Sequence, residues 1–134
     1  MGISTNAPIT GGNLSMLYSQ TGSSTKLQTK GKILFIEDLD EYLYHIDRMM
    51  YNLKRNHYFE ELAGMIVGGL SDMNDNEIPF GHTAQEIVRD HLQEYSFPVC
   101  FGFPSGHLAD NRSLIFGRKA YLEVANQTHL HFHE

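Results

Sequence analysis

Hydrophobic positions along this chain fall into two alternating patterns. Residues 33–36 (ILFI), 63–70 (AGMIVGGL) and 99–103 (VCFGF) are uninterrupted apolar runs. Runs of this kind, rich in β-branched and aromatic side chains, read as strands buried on both faces. Between them the spacing changes. Leu43, Ile46, Met50 and Leu53 recur at intervals of three and four, Met49 widens the stripe, and Asp47, Arg48, Asn52 and Lys54 fall between. This predicts an amphipathic helix of about 14 residues. A later helix opens on Thr83 and Glu86 as a capping box, with Ile87, Val88, Leu92 and Tyr95 on one face. Upstream, Asn13 is placed to cap a short helix carrying Leu14, Leu17 and Tyr18, with Gly22 as its stop.

Strand, helix, strand, helix, strand implies right-handed βαβ units. The expected fold class is α/β: a βαβ parallel sheet flanked by helices, with short antiparallel strands at the C-terminal end, where residues from Leu114 onward alternate. Residues 1–12 are polar, with Pro8 and Gly11-Gly12, and are expected to form an irregular lead-in. Residues 71–81 form the longest polar loop. Asp72, Asn74 and Asn76 alternate there as in a calcium loop, but Glu77 and Thr83 stand where glycine and glutamate are required. A solvated rim loop is expected instead. No internal repeat is apparent.

Composition narrows the class. The length of 134 residues suits one domain, expected over 1–134, and 41% hydrophobic with 19% charged residues is ordinary for a globular protein. A net charge of −6 argues against nucleic acid, which demands clustered Lys and Arg. The one cysteine, Cys100, cannot form an internal disulfide and lies in an apolar run, so it is read as a small buried hydrophobe. No window approaches the roughly 18–20 apolar residues of a membrane span. The N-terminus lacks the pattern of a secretion signal, and Asn6 breaks the myristoylation motif.

The candidate chemistry lies at strand ends. Ile36 runs straight into Glu37, Asp38, Asp40 and Glu41, and in open α/β sheets ligands bind at the carboxyl ends of parallel strands. Asp40 and Glu41 are read as acids starting the next helix; Glu37 still belongs to the strand and is the candidate catalytic carboxylate. The third strand ends in Pro104-Ser105-Gly106-His107, so Glu37, the Ser71/Asp72 corner and His107 are expected on one rim. A carboxylate and a histidine are two parts of an acid–base–nucleophile triad. The third part is missing: there is no G-x-S-x-G elbow, Gly69-Leu70-Ser71-Asp72 lacks the second glycine, and Ser105 sits in a tight turn. On residue chemistry alone, His107 is equally readable as a plain loop histidine. His129, His131 and His133 share one strand face in the tail, but no carboxylate or cysteine spacing supports a metal site. No metal or cofactor is expected.

Several motifs together resemble a known family. GGNLSMLYS (residues 11–19), ILFIED followed by Glu41, IDRMM (residues 46–50) and FGFPSGH (residues 101–107), followed by Asn111 and Gly117, are similar to the C-terminal half of LD-carboxypeptidases. These serine peptidases include the microcin C immunity proteins. The resemblance runs from about Gly11 to Glu123, in the family's order. Leu43 and His45 replace a frequent proline and arginine, and Ile115 or Phe116 a proline, leaving substrate preference open.

The resemblance implies a Ser–Glu–His triad in which Glu37 and His107 are the glutamate and histidine. The serine and oxyanion hole would belong to an N-terminal nucleophile domain absent from this chain, which would be the swivelling-type C-terminal half. The implied activity is metal-free acyl-enzyme hydrolysis releasing a terminal D-amino acid from a cell-wall peptide in a cytoplasmic recycling step. The fragment alone would be inactive. Expected partners are that N-terminal domain and the peptide, with no nucleic acid or membrane; the family's habit of pairing adds a homodimer. Two alternatives are an immunity-type hydrolase of peptidyl-nucleotide antibiotics and a non-catalytic binding domain of the same fold.

Overall fold

The computed structural model describes residues 2–134. Its elements run β1 (Ile3–Asn13), α1 (Leu14–Ser19), β2 (Ile33–Leu39), α2 (Leu43–Arg55), β3 (Gly64–Ser71), α3 (Ala84–Leu92), β4 (Val99–Cys100), β5 (Lys119–Val124) and β6 (Thr128–Phe132). Six strands form one sheet in the order β4-β3-β2-β1-β5-β6. β1 to β4 are mutually parallel, and β5 and β6 add antiparallel to the far side of β1.

Each parallel strand lies next to its predecessor, so every crossover steps the same way. Right-handed crossovers that all step one way put their helices on one face. Accordingly, Leu14 and Leu17 of α1, Ile46, Met49, Met50 and Leu53 of α2, and Ile87, Val88 and Leu92 of α3 share one buried cluster with Leu34, Ile36, Met65 and Val67. The alternate residues Ile33, Phe35 and Ile66 point to the other face, where they join Ala7, Ile9, Cys100, Ala120 and Leu122. Phe103 and Leu114 from the long loop, with Leu130 and Phe132 of β6, pack over that second cluster in place of helices.

Three expectations are corrected. The supposed lead-in is the eleven-residue strand β1. It pairs with β5 through Ile3–Pro8 and with β2 through Ile9–Asn13, and Pro8, which has no N–H to donate, sits at the changeover. The run at residues 99–103 is a strand only over Val99–Cys100, because Gly102 turns at a φ of 70°. Asp40 and Glu41 precede α2 rather than begin it. Asp40 turns the chain at a φ of 56° and accepts from Asn74 Nδ2, while Glu41 holds the ring of His45; the N-cap is Tyr42, without a side-chain bond. The capping box at Thr83 and Glu86 and the Asn13 cap of α1 form as expected.

Candidate active site

Parallel pairing brings the ends of β1, β2 and β3 to one edge of the sheet. Register sets Asn13 beside Glu37 across β1 and β2. Between Ile36 and Asp38 the pairing with β3 slips, because Ile36 meets Val67 while Asp38 meets Leu70. Between these pairs one residue of β2, Glu37, thus faces two of β3, Gly68 and Gly69. This bulge admits the loop that follows β4. Gly69 N donates to Ser105 O, and a Cβ on Gly68 would stand 2.4 Å from that same oxygen, so only glycine fits.

The loop carries His107 to Glu37. Nδ1 of His107 and Oε2 of Glu37 are 2.8 Å apart. An ionised carboxylate only accepts, so beside it a neutral imidazole carries its hydrogen on Nδ1 and presents the lone pair of Nε2. The Glu37 side chain is 9% exposed and that of His107 51%, which makes a sheltered anchor beneath an accessible base. The loop is pinned from several sides. Gly106 N donates to Asn111 Oδ1, Arg112 N to Pro104 O, and the Ser71 hydroxyl to the carbonyl of His107. Gly106 adopts a φ of 117°, and a Cβ there would lie 2.9 Å from Cβ of Glu37.

Asn13 supports the anchor from β1. Its Nδ2 donates to Oε1 of Glu37 at 3.2 Å and to Oδ1 of Asp38 at 3.1 Å, while its Oδ1 accepts from Met16 N at the start of α1. Asp38 also accepts from Ser15 N and Leu39 N. Burial pushes the Asp38 carboxyl above its ordinary value, against the pull of the Leu39 N–H, Asn13 and the Ser15 N–H.

The structure therefore places Glu37, the Ser71 corner and His107 at one rim, as expected. Neither Ser71 nor Ser105 has its hydroxyl hydrogen-bonded to the ring of His107 among the described residues. Ser71 serves the backbone of His107, and Ser105 is buried. Cys100 is buried too, its thiol pushed up to about 11 by desolvation. His133 is engaged with Asn6, and among the described residues no group of three or more His, Cys, Asp or Glu side chains is gathered closely enough to hold a metal ion. No helix among them is long and apolar enough to cross a membrane. Sequence reasoning assigned Asn13 a capping role only. Its second role depends on the β1–β2 register, which nothing in the local pattern discloses.

A family model for the LD-carboxypeptidase C-terminal domain matches residues 6–122. The chain belongs to this family. It is 32% identical over 120 residues to a "Probable murein peptide carboxypeptidase" of Bacillus subtilis, covering 90% of this chain and 38% of that protein. Against the microcin C7 self-immunity protein MccF of Escherichia coli, identity is 29% over 122 residues, covering 89% of this chain and 34% of the relative. The fold is similar to that of a muramoyltetrapeptide carboxypeptidase from Oxalobacter formigenes, with a TM-score of 0.86 at 25% identity, over 98% of this chain and 46% of that one. The chain thus spans between a third and a half of the length of these relatives.

Proposed function

We propose that this LD-carboxypeptidase-family domain supplies the base and its orienter to a serine-type carboxypeptidase. The serine nucleophile and oxyanion hole would come from a further, N-terminal domain. The observation that supports this best is the 2.8 Å bond from Nδ1 of His107 to the sheltered Glu37. In this reading Glu37 fixes the imidazole with Nε2 free. Nε2 takes the proton of the attacking hydroxyl, Glu37 stabilises the imidazolium, and His107 then returns the proton to the leaving amine. Asn13 holds the second oxygen of Glu37, so the carboxylate keeps one orientation through both proton transfers. The substrate would be a cell-wall peptide ending in a D-amino acid, and D-alanine the released product. The names of the carboxypeptidase relatives support a cell-wall peptide as the substrate. The same reading sets the reaction in the cytoplasm.

The test is hydrolysis of a cell-wall tetrapeptide by the 134-residue chain alone and by a form joined to a nucleophile-bearing domain. The chain alone is expected to be inactive. The joined form should be active, and Glu37→Gln and His107→Ala should each lower kcat by a factor on the order of 10³ or more. Turnover by the chain alone that survives Ser71→Ala but not His107→Ala overturns the proposal. The similarity to MccF keeps an immunity-type hydrolase as the second reading. Product analysis with an aminoacyl-nucleotide conjugate beside the tetrapeptide separates the two.

A further inference from the structure

The outer face of α2 carries a pattern that the candidate site does not use. Tyr44, Arg48, Tyr51 and Arg55 follow one another at spacings of four, three and four. At 3.6 residues per turn they fall within a sector about 60° wide, opposite the buried stripe of Ile46, Met49, Met50 and Leu53. A solvated helix face ordinarily carries polar and charged groups; here Tyr44 is 43% and Tyr51 49% exposed. The Arg48 guanidinium stands 5.3 Å from the centre of the Tyr44 ring, and that of Arg55 6.0 Å from the centre of Tyr51. Neither arginine is in an ion pair among the described residues, whereas the adjacent Lys54 is paired with Glu94. Tyr18 of α1 closes one side of a groove of about 500 Å³ along this stripe.

We propose that this stripe is a docking site for an acidic protein segment that presents two carboxylates about 10 Å apart. A guanidinium fork matches a carboxylate with two parallel hydrogen bonds, and stacking on a ring orders the fork before the partner arrives. Tyrosine and arginine are also the side chains that dominate binding energy at protein interfaces. The spacing follows from the helix. Arg48 and Arg55 are separated by seven residues, a rise of about 10.5 Å. Carboxylates three residues apart on a segment in the polyproline II conformation, which repeats every three residues at about 3.1 Å each, lie on one face, span about 9 Å and come close to that rise. Charge supplies selectivity: the chain carries −6 overall, so an acidic segment is repelled across much of the surface and accepted on this stripe. Nucleic acid fits poorly, since two arginines against that net charge neutralise too few phosphates.

The probe is a short acetylated alanine–glycine peptide with glutamate at every third position, beside its glutamine counterpart. Both are titrated into the isotopically labelled chain and followed by backbone amide shifts. The expected result is shifts confined to α2 and Tyr18 with the glutamate peptide, none with the glutamine peptide, and affinity that falls as salt rises. The double variant Arg48→Gln/Arg55→Gln keeps good helix formers and should bind at least about tenfold more weakly. Unchanged affinity in that variant, shifts on another face, or no shifts at millimolar peptide overturns the proposal. So does a dimer of the unliganded chain that dissociates in the variant, since a second copy would then be the occupant.

Discussion

Substitutions at Asn13 should separate helix capping from support of the two strand-end carboxylates. The wild-type amide donates to Glu37 and Asp38 and caps α1 through its carbonyl oxygen. Asn13→Ser keeps a capping oxygen but loses the amide N–H groups, so the two hydrogen bonds to the partly buried carboxylates disappear at a cost of about 1–3 kcal/mol. Asn13→Ala loses the cap as well, worth a further 0.5–2 kcal/mol or roughly so, for a total of about 1.5–5 kcal/mol. Asn13→Asp keeps the cap but puts a third carboxylate where Nδ2 stood, 3.2 Å and 3.1 Å from the two acceptors. At an effective dielectric near 20, each contact at that distance repels by about 5 kcal/mol, which rotation and solvent reduce to a net of about 3 kcal/mol or more. Urea unfolding followed by circular dichroism, near pH 7 and near pH 4.5, reads all three. The aspartate variant should recover toward wild type at the lower pH as carboxylates take up protons, and the alanine variant should not. An Asn13→Asp protein as stable as wild type near pH 7 refutes the reasoning. So does a serine variant as damaged as the alanine one.

Three further outcomes are expected. Gly106→Ala sets a Cβ against Glu37 at a φ of 117° and should cost about 1–3 kcal/mol while shifting the His107 ring signals. Gly102→Ala, strained at a φ of 70° but in open space, should leave those signals in place, and equal spectra from the two variants would refute the steric argument. The Glu86 carboxyl is held below its usual value chiefly by the Thr83 N–H, so its stabilisation is present at neutral pH and is lost as pH falls through its folded pKa. Thermal melts should show Glu86→Gln less stable than wild type near pH 7, with the gap closing below the ordinary glutamate value of 4.5. Cys100, with its thiol pushed up to about 11, should resist iodoacetamide near pH 8 in the folded protein and react fully in urea, as read by mass spectrometry.

The elements legible in the sequence are those whose pattern is set locally. The four residues ILFI are buried on both sides of the sheet, and the Met-rich stripe of α2 faces one partner, so each announces itself. β1 does not. Its hydrogen bonds are shared between a parallel and an antiparallel neighbour, only Ala7 and Ile9 are buried along it, and Pro8 and two glycines read as breakers. Its strand character comes from its partners rather than from its own side chains. Gly102 and Asp40 show the same limit on a smaller scale, because a positive φ at a strand end is decided by what the loop must reach. Within the site, Glu37 stood out because an acid directly followed a buried strand. Its pairing with a histidine 70 residues away carried no spacing signal: the end of the third strand made His107 a candidate, equally readable as a plain loop histidine, and the family's motifs gave the two residues a shared role. The bridge from Asn13 needed the register itself.

The divided pairing of β1 also bears on the order in which the sheet is assembled. Its C-terminal half meets β2 across 24 residues, as from Ile9 to Ile33, whereas its N-terminal half meets β5 across 111, as from Pro8 to Lys119. Closing the longer loop costs about 1.4 kcal/mol more in chain entropy. Contacts between residues near in sequence form first, so β1, β2 and the α1 crossover come together before the β5–β6 hairpin docks. The Asn13–Glu37 junction then belongs to the early, local part of the fold. On that order Glu37 is expected to be in position while the C-terminal hairpin is still free, so destabilising the β5–β6 hairpin should speed unfolding more than it slows folding.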